Sequence, residues 1–502
     1  MKRYFTFILL LLCAVASSQN IQDVLRYGTE DLQGTARYQA LSGAFGALGG
    51  DLSAIGTNPA GSAVFINSQF TVSGRNYNRN NDATYFGSLS NRTMNSLELN
   101  QLGGVFVFNK TGGQSDWKRF SLAFNYDLVG NLDNELSVRG SSNQGLDTYF
   151  LGIADGVPFG NLLLQDGEFL ENAYLDIGSS YGFATQQAFL GYFGGIIDPV
   201  DASDDANTQY VSNSQYNTVN QDYFESTNGY NSKFTANIAG QYQDNLYLGA
   251  SLNFHTVLYE RTTLFDENGY DPASPIQFSS FDNLLRTEGS GFSFGLGAIA
   301  KLNESVRLGA SYQSPTWYRL TDDTSQRINS DLADSDIGFI DFNIVNLYDA
   351  YTVKTPSKYT GSLALIFGKD GLLSFDYSYQ DMSQAELRPK SDPSFSSENN
   401  YISGALGGVS TFRVGGEYRI DQVSLRGGYR FEQSPYNDGQ TIGDLNGFSA
   451  GLGYNFGASR LDLGFSRSER DRLNYLYDVG FDTPSRINAV NTNVTLSYTL
   501  NF

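Results

Sequence analysis

Apolar and polar positions alternate with a period of two through most of the chain, from about residue 67 to its last residue. The final segment is the clearest case. Val494, Leu496, Tyr498, Leu500 and Phe502 are apolar, and Asn493, Thr495, Ser497, Thr499 and Asn501 between them are polar. A period of two is that of a β-strand with two unlike faces. Upstream, Phe120, Leu122, Phe124 and Tyr126 alternate with Ser121, Ala123, Asn125 and Asp127. Leu246, Leu248, Ala250, Leu252 and Phe254 alternate with Tyr247, Gly249, Ser251, Asn253 and His255. Phe412, Val414, Gly416 and Tyr418 alternate with Arg413, Gly415, Glu417 and Arg419. The pattern predicts about fourteen strands, near residues 67–77, 96–109, 118–130, 231–243, 245–261, 286–302, 304–320, 351–367, 371–388, 410–420, 422–433, 445–457, 459–470 and 489–502.

The connections between these segments alternate in length. Residues 243–245, 303–304, 368–371, 421–422 and 457–458 read as tight turns. Residues 78–95, 131–230, 262–285, 321–350, 389–409, 434–444 and 471–488 read as long connections. A soluble sandwich has no reason to keep that parity. A transmembrane β-barrel does, with short periplasmic turns and long external loops. Its apolar face meets lipid. Its polar face, which carries charges that would be costly against lipid, lines the lumen. Many segments exceed the 9–11 residues that cross a bilayer, so they are expected to project beyond it.

One stretch stands outside the pattern. Residues 34–65, GTARYQALSGAFGALGGDLSAIGTNPAGSAVF, are rich in Gly and Ala, nearly uncharged, and neither alternating nor striped. Asp51 is placed to cap a short helix over 52–55, and Asn58-Pro59 is a turn signal. A segment this apolar and irregular needs an enclosure. A barrel lumen supplies one, which divides the chain into a plug at 19–65 and a barrel at 66–502 with a large external loop at 131–230. That loop carries a cluster of apolar residues, among them Phe183, Phe189, Leu190, Tyr192 and Phe193. It is expected either to pack on itself or to offer a greasy surface to a ligand.

Composition agrees. Aromatics are 14% of 502 residues, with 33 Tyr, 36 Phe and 54 Gly, which fits a barrel with aromatic girdles. A mean hydropathy of −0.31 argues against a helical polytopic membrane protein. Residues 1–18 read as a secretory signal peptide: Lys2 and Arg3, an apolar core, then Ala16 and Ser18 before a first mature residue Gln19. Cys13 is the single cysteine, so the mature chain is expected to have no disulfide or thiol chemistry. A formal charge of −21 argues against nucleic acid as a partner.

The opening segment resembles the plug, or hatch, of FadL-type outer-membrane transporters of long-chain fatty acids and other hydrophobic compounds. The likeness rests on Arg37, Gly43-Ala44, Asp51, Asn58-Pro59-Ala60, Phe65 and Ser73-Gly74. Residues 290–312, 412–435 and 448–465 resemble hairpins of that family. The terminal strand ending in Phe502 also resembles the signal read by the outer-membrane barrel assembly machinery. The resemblance implies a fourteen-stranded barrel in the outer membrane of a Gram-negative bacterium, bordered by outer-membrane lipid and lipopolysaccharide. It implies a plug that closes the periplasmic side. Ligand would be caught by external loops, held inside the barrel and released when the plug shifts, in described members sideways through the wall. A bulge in the third strand near 127–130 is where such an opening is expected. The 131–230 loop matches the family poorly.

Candidate site residues follow from both readings. Asn58, Pro59 and Ala60 are the expected fixed corner and gate of the plug, with Asn58 offering amide hydrogen bonds to a charged wall. Arg307, Asp376, Arg413, Glu417, Arg426 and Arg430 face the lumen by parity. They are candidates for binding a ligand carboxylate, for which Arg is suited, but opposite charges on one face favour ion pairs that brace the barrel or hold the plug. His255 is the single histidine, so no metal or haem site is expected, and no cofactor. Ser251 lies about 13 Å from it along a strand, too far for a catalytic pair, and no enzyme activity is expected. Asp322-Asp323 and 331–341 read as solvated acidic loops. Three functions are compatible with this sequence: a passive transporter gated by the plug, a FadL-like barrel serving as a scaffold or shuttle in protein secretion, or a general polar porin.

Overall fold

The computed structural model describes residues 19–110 and 115–502, and the expected signal peptide, 1–18, lies outside the described residues. Fourteen long antiparallel strands form a closed barrel. In chain order they are β1 (Gln69–Tyr85), β2 (Ser88–Asn109), β3 (Trp117–Asn131), β4 (Val219–Tyr242) and β5 (Leu246–Asn268). There follow β6 (Phe278–Lys301), β7 (Val306–Gln313, continued by Trp317–Ser330), β8 (Tyr351–Lys354 and Lys358–Phe367) and β9 (Gly371–Asp381, continued by Glu386–Arg388). The last five are β10 (Gly408–Ile420), β11 (Val423–Glu432), β12 (Leu445–Asn455), β13 (Ser459–Asn474) and β14 (Ser485–Asn501). Each pairs with its neighbour in sequence, and β14 returns to β1 in unbroken register from Gln69↔Asn501 to Thr84↔Arg486. Closure removes the free edges that a bilayer would not tolerate, and among the described residues β2 and β3 part only above Gln101↔Asp127. Among the described residues no helix is long and apolar enough to cross a membrane.

The two faces are as the alternation requires. On β14, Val494, Leu496, Tyr498 and Leu500 are 42–52% exposed on the outside, while Thr495, Ser497 and Thr499 inside are 1% exposed or less. The tight turns fall where expected. Gln243 (φ 50°) in the three-residue turn 243–245 and Asp421 (φ 52°) in the two-residue turn 421–422 take the left-handed conformation that tight hairpin turns favour.

Three sequence expectations are corrected. Residues 78–95 are no loop: β1 and β2 pair as far as Tyr85↔Ser88, with Phe86 and Gly87 at the tip. Beyond the bilayer both faces of a hairpin are wet, so hydropathy stops alternating while the backbone ladder continues. Asp322 and Asp323 lie inside β7, and Asp322 is buried, accepting from Thr287 Oγ1 at 2.7 Å and Gln19 Nε2 at 2.9 Å. The strands expected unbroken at 304–320 and 351–367 are interrupted beside Pro315 and Pro356, which have no N–H for the ladder. There Ser314 N–H donates to Phe294 O at 2.9 Å, and Thr355 N–H to Thr316 O at 3.0 Å.

Residues 19–65 fold inside the barrel as short helices joined by turns. α1 (Ile21–Gly28) starts at a capping box of Asn20 and Asp23. α2 (Ala36–Ala40) is capped by Thr35. α3 (Ala54–Thr57) is followed by a 3₁₀ turn at Pro59–Val64. Asp51 does not cap a helix over 52–55. It ties the plug to itself instead, accepting from Thr35 Oγ1 at 2.8 Å and Ser53 N–H at 3.0 Å.

The 131–230 connection packs on itself and on the barrel rim. A strand over Asn134–Ser142 pairs with the outer part of β4. α4 (Leu146–Ala154), α5 (Leu170–Tyr181) and α6 (Phe183–Phe193) then bury Phe150, Tyr174, Phe189 and Leu190 in one cluster with Phe265, Phe281 and Ile487 of the wall strands. The helices therefore form a cap fused to the outer rim. A further helix, α7 (Pro393–Ala405), covers the rim beside β9, and its Glu398 accepts the Ile21 N–H at 2.7 Å.

Candidate functional site

The plug meets the wall through backbone, hydrogen bonds and ion pairs. Asn58, buried between α3 and the 3₁₀ turn, donates through Nδ2 to Gly46 O at 2.7 Å and to Ala298 O of β6 at 3.0 Å. Its Oδ1 accepts the Ala60 N–H at 3.1 Å. The Pro59 carbonyl accepts from Asn237 Nδ2 at 3.0 Å. The wall that Asn58 meets is not charged, contrary to expectation. It is backbone, the Ala298 carbonyl beside the bare Cα of Gly297. A Cβ on Gly297 would lie 2.0 Å from Asn58 Oδ1, and one on Gly249 would lie 2.4 Å from Pro59 O.

The same device recurs around the lumen. A Cβ on Gly309 would lie 2.3 Å from Gly46 O, and one on Gly464 would lie 2.6 Å from Ala36 O. The plug backbone sits directly on the wall backbone, which only absent side chains allow. The alternation placed Gly249 on the lumen face without assigning it a contact. The inward parity of these glycines was the available signal.

The six charged lumen candidates divide. Asp376 accepts the Phe45 and Gly46 N–H groups, each at 2.9 Å, and Arg307 donates to Leu48 O at 3.1 Å. Glu417 sits between Arg37 of the plug (2.9 Å) and Arg426 (2.6 Å), and also bonds Arg419. Arg426 continues the buried chain to Asp462 at 2.7 Å. Arg430 donates to Glu432 at 2.5 Å and to Glu30 O at 3.3 Å. These five are engaged with plug or wall. Arg413 lines a small chamber of about 60 Å³ on the upper face of the plug, together with Glu30, Lys233, Lys358, Asp127 and Val129. Glu30 pairs there with Lys358 at 2.6 Å, and that ammonium holds its carboxyl well below the usual carboxylate range.

The chamber lies against an irregularity in the wall. The pairing of β3 with β4 slips between Leu128 and Gly130, a bulge at Val129. The pairing of β3 with β2 ends at Gln101↔Asp127. Above that point Asn131 reaches across to Glu98 and Ser96 through its side chain. Backbone ladder is replaced there by side-chain contacts.

Above the plug lies a larger cavity of about 510 Å³, within the size range of small-molecule sites. Leu25 and Arg26 of α1 and Thr29 just after it form its floor, and the cap its roof with Tyr149, Ile153 and Phe183. Phe281 and Tyr477 complete an aromatic wall, with Tyr149 and Tyr477 ring centres 4.7 Å apart. Five arginines line it: Arg26, Arg79, Arg261, Arg470 and Arg472. None was selected from sequence. They lie in the plug, at the ends of expected strands or in segments read as loops, although Arg79, Arg261 and Arg472 keep the inward parity of β1, β5 and β13.

His255 is buried on β5, between Ser293 Oγ (3.2 Å) and Tyr318 OH (3.1 Å). Ser251 is instead bonded by Asn237 at 2.9 Å. Among the described residues no cluster of His, Cys, Asp and Glu has the arrangement of a metal site.

The fold has solved counterparts. A crystal structure of a Pseudomonas aeruginosa FadL homologue superposes with a TM-score of 0.56 at 14% identity, covering 95% of this chain and 100% of that one. The toluene transporter TodX of P. putida superposes at 0.50, also at 14% identity, covering 94% and 99%. At such identities the likeness is one of fold. No curated protein matches the chain. The model of the family described as outer membrane protein transport protein (OMPP1/FadL/TodX) matches residues 206–477, more than half the sequence. A closed barrel with lipid-facing aromatics, a helical plug in its lumen and that match together place the chain in the outer membrane, as a transport protein of the OMPP1/FadL/TodX family.

Proposed function

We propose that the chain is a passive transporter of long-chain fatty acids or other hydrophobic compounds, held shut by the plug at residues 19–65 within the barrel at 66–502. The observation that carries this reading is the 510 Å³ cavity, floored by plug helix α1 and roofed by the cap. Apolar and aromatic surface there suits a hydrocarbon tail, and cationic groups suit a head. Below it, the chamber beside the Val129 bulge provides the next station, and displacement of the plug or of the β2–β3 side-chain contacts provides an exit. Asn58, Pro59 and Ala60 act as the anchored corner about which the plug moves. A toluene transporter among the structural counterparts keeps monoaromatic hydrocarbons in the panel to be tested.

Uptake of labelled oleate and toluene in a deletion strain tests the reading. Uptake of at least one compound is expected to fall several-fold and to return with the wild-type gene. Unchanged uptake of oleate, toluene and a wider hydrophobic panel overturns it.

A further inference from the structure

Where the cap meets the wall, two buried carboxylates converge without a cation. Glu267, near the outer end of β5 and beyond the bilayer, is 0% exposed, and Asp147, in the first turn of α4, is 6% exposed. A Cβ on Gly145 would lie 2.8 Å from Asp147 Oδ1 and 2.9 Å from Glu267 Oε1, so both carboxylates converge on the start of α4. Glu267 ties that helix to the wall. It accepts the Leu146 N–H at 3.1 Å, Gln221 Nε2 of β4 at 2.9 Å and Tyr270 OH at 2.6 Å. Asp147 accepts from Tyr216 OH at 2.6 Å. Neither carboxylate has an ion-pair partner among the described residues. The titratable groups that face Glu267 are Asp147, Tyr216, Tyr270, Tyr85 of β1 and Tyr477 beyond β13, and none of them is a cation. β4 and β6 face it with the neutral Gln221 and Ser279.

A carboxylate taken out of water without a cation is costly, and neutral donors offset only part of that cost. Burial accordingly pushes the Glu267 carboxyl up to about 7. The site has a place for the proton. Tyr270 OH also lies 2.8 Å from Ser279 Oγ, and either of that pair can donate. With Glu267 protonated, the Tyr270 hydroxyl accepts its proton and donates on to Ser279. We propose that Glu267, set beside Asp147, is a proton-operated latch of the cap: α4 stays docked on the wall while Glu267 holds a proton and loosens when the proton leaves. Undocked, Glu267 is a wet carboxyl with its ordinary value of 4.5. Below that pH both states hold the proton and docking is at full strength. Between 4.5 and about 7 the undocked carboxyl has released it and the docked one has not, so docking weakens as pH rises through this window. Above it both are ionised and the weakening levels off. Tyr149 and Ile153 of α4 roof the upper cavity, so loosening opens its roof. That consequence for uptake, unlike the latch itself, rests on the transport reading.

The test is hydrogen exchange on the full-length protein in a neutral detergent between pH 5 and pH 8, read as protection factors so that the chemical pH dependence of exchange cancels. Protection of α4 in the wild type is expected to fall by about tenfold or more across this range, as a carboxyl displaced by more than one pH unit requires. Amides of β12, remote from Glu267 in the barrel wall, are expected to stay level and serve as the internal reference. Glu267→Gln keeps an acceptor for Leu146 and carries no charge, so its α4 is expected to stay protected throughout. Parallel behaviour of α4 and β12 in the wild type overturns the proposal, and so does a fall in Glu267→Gln equal to that of the wild type. The comparison of α4 with β12 needs no variant, so it decides even if Glu267→Gln does not assemble. Exchange is read without any ligand, so its outcome is independent of whether uptake of oleate or toluene is found.

Discussion

At Asn58 a single amide holds three parts of the molecule together: the Gly46 loop of the plug, Ala298 of β6 and the start of the 3₁₀ turn through Ala60. Replacing it by Ala removes all three bonds and orphans buried backbone groups, at about 1–3 kcal/mol for each group left unsatisfied. The wall strands do not depend on this residue for pairing. Asn58→Ala is therefore expected to reach the outer membrane at normal levels and to transport several-fold less. Uptake at matched surface levels checks this, and wild-type uptake would remove Asn58 from the gate. The residue was legible because Asn-Pro-Ala in a Gly/Ala-rich setting marks a constrained turn. What it touches was not legible, since its wall partner lies 240 positions away in the chain.

At the scale of elements, the plug is seated by strands that omit side chains where it passes. Gly249 of β5 has no room for a Cβ, because Pro59 O, Pro59 C and Ala60 N would all lie within 2.6 Å. These are backbone atoms with no flexible end to yield. Overpacking of this kind costs about 1–3 kcal/mol or more, set against a wall whose strands are held by continuous backbone ladders. Gly249→Val is expected to unseat the plug while the barrel still closes, and to raise leakage of polar solutes across the outer membrane. Gly361→Val, where a Cβ would meet nothing within 4 Å, is the matched control and is expected to leak no more than wild type. Equal leakage from the two variants would separate the wall glycines from plug seating. The strands themselves were read correctly wherever one face meets lipid. They were read too short wherever both faces meet water, which is how the outer halves of β1, β2, β5 and β6 became loops.

At the scale of the whole molecule, a closed barrel, a lumen filled by the plug and a cap packed over the rim support the proposed gated conduit over an open pore. Purified protein in planar bilayers is expected to show steady conductance far below that of an unobstructed fourteen-stranded barrel, and Gly249→Val to raise it. A large steady conductance in the wild type would restore the polar porin reading. The cap shares one apolar cluster with strand ends that are far apart in sequence, including Phe265, Phe281 and Ile487. It is part of the barrel's outer structure rather than an appendage of the 131–230 loop.

The sequence by itself determined the barrel, its strand count, the five tight turns it singled out, the plug and the family. The family came from the resemblance of motifs such as Asn58-Pro59-Ala60, and the rest follow from local properties: a period of two, turn residues at the junctions, and a Gly/Ala-rich segment unsuited to solvent. The tertiary structure alone decided which lumen charges hold the plug and which face open space. It also turned strand glycines into a seat for the plug, and gathered Arg79, Arg261 and Arg472 from β1, β5 and β13 around one cavity. The physical reason is the curvature of a closed wall. Inward parity can be read along each strand, but which inward residues converge depends on register and closure, and those are set by pairings between strands up to the full length of the chain apart.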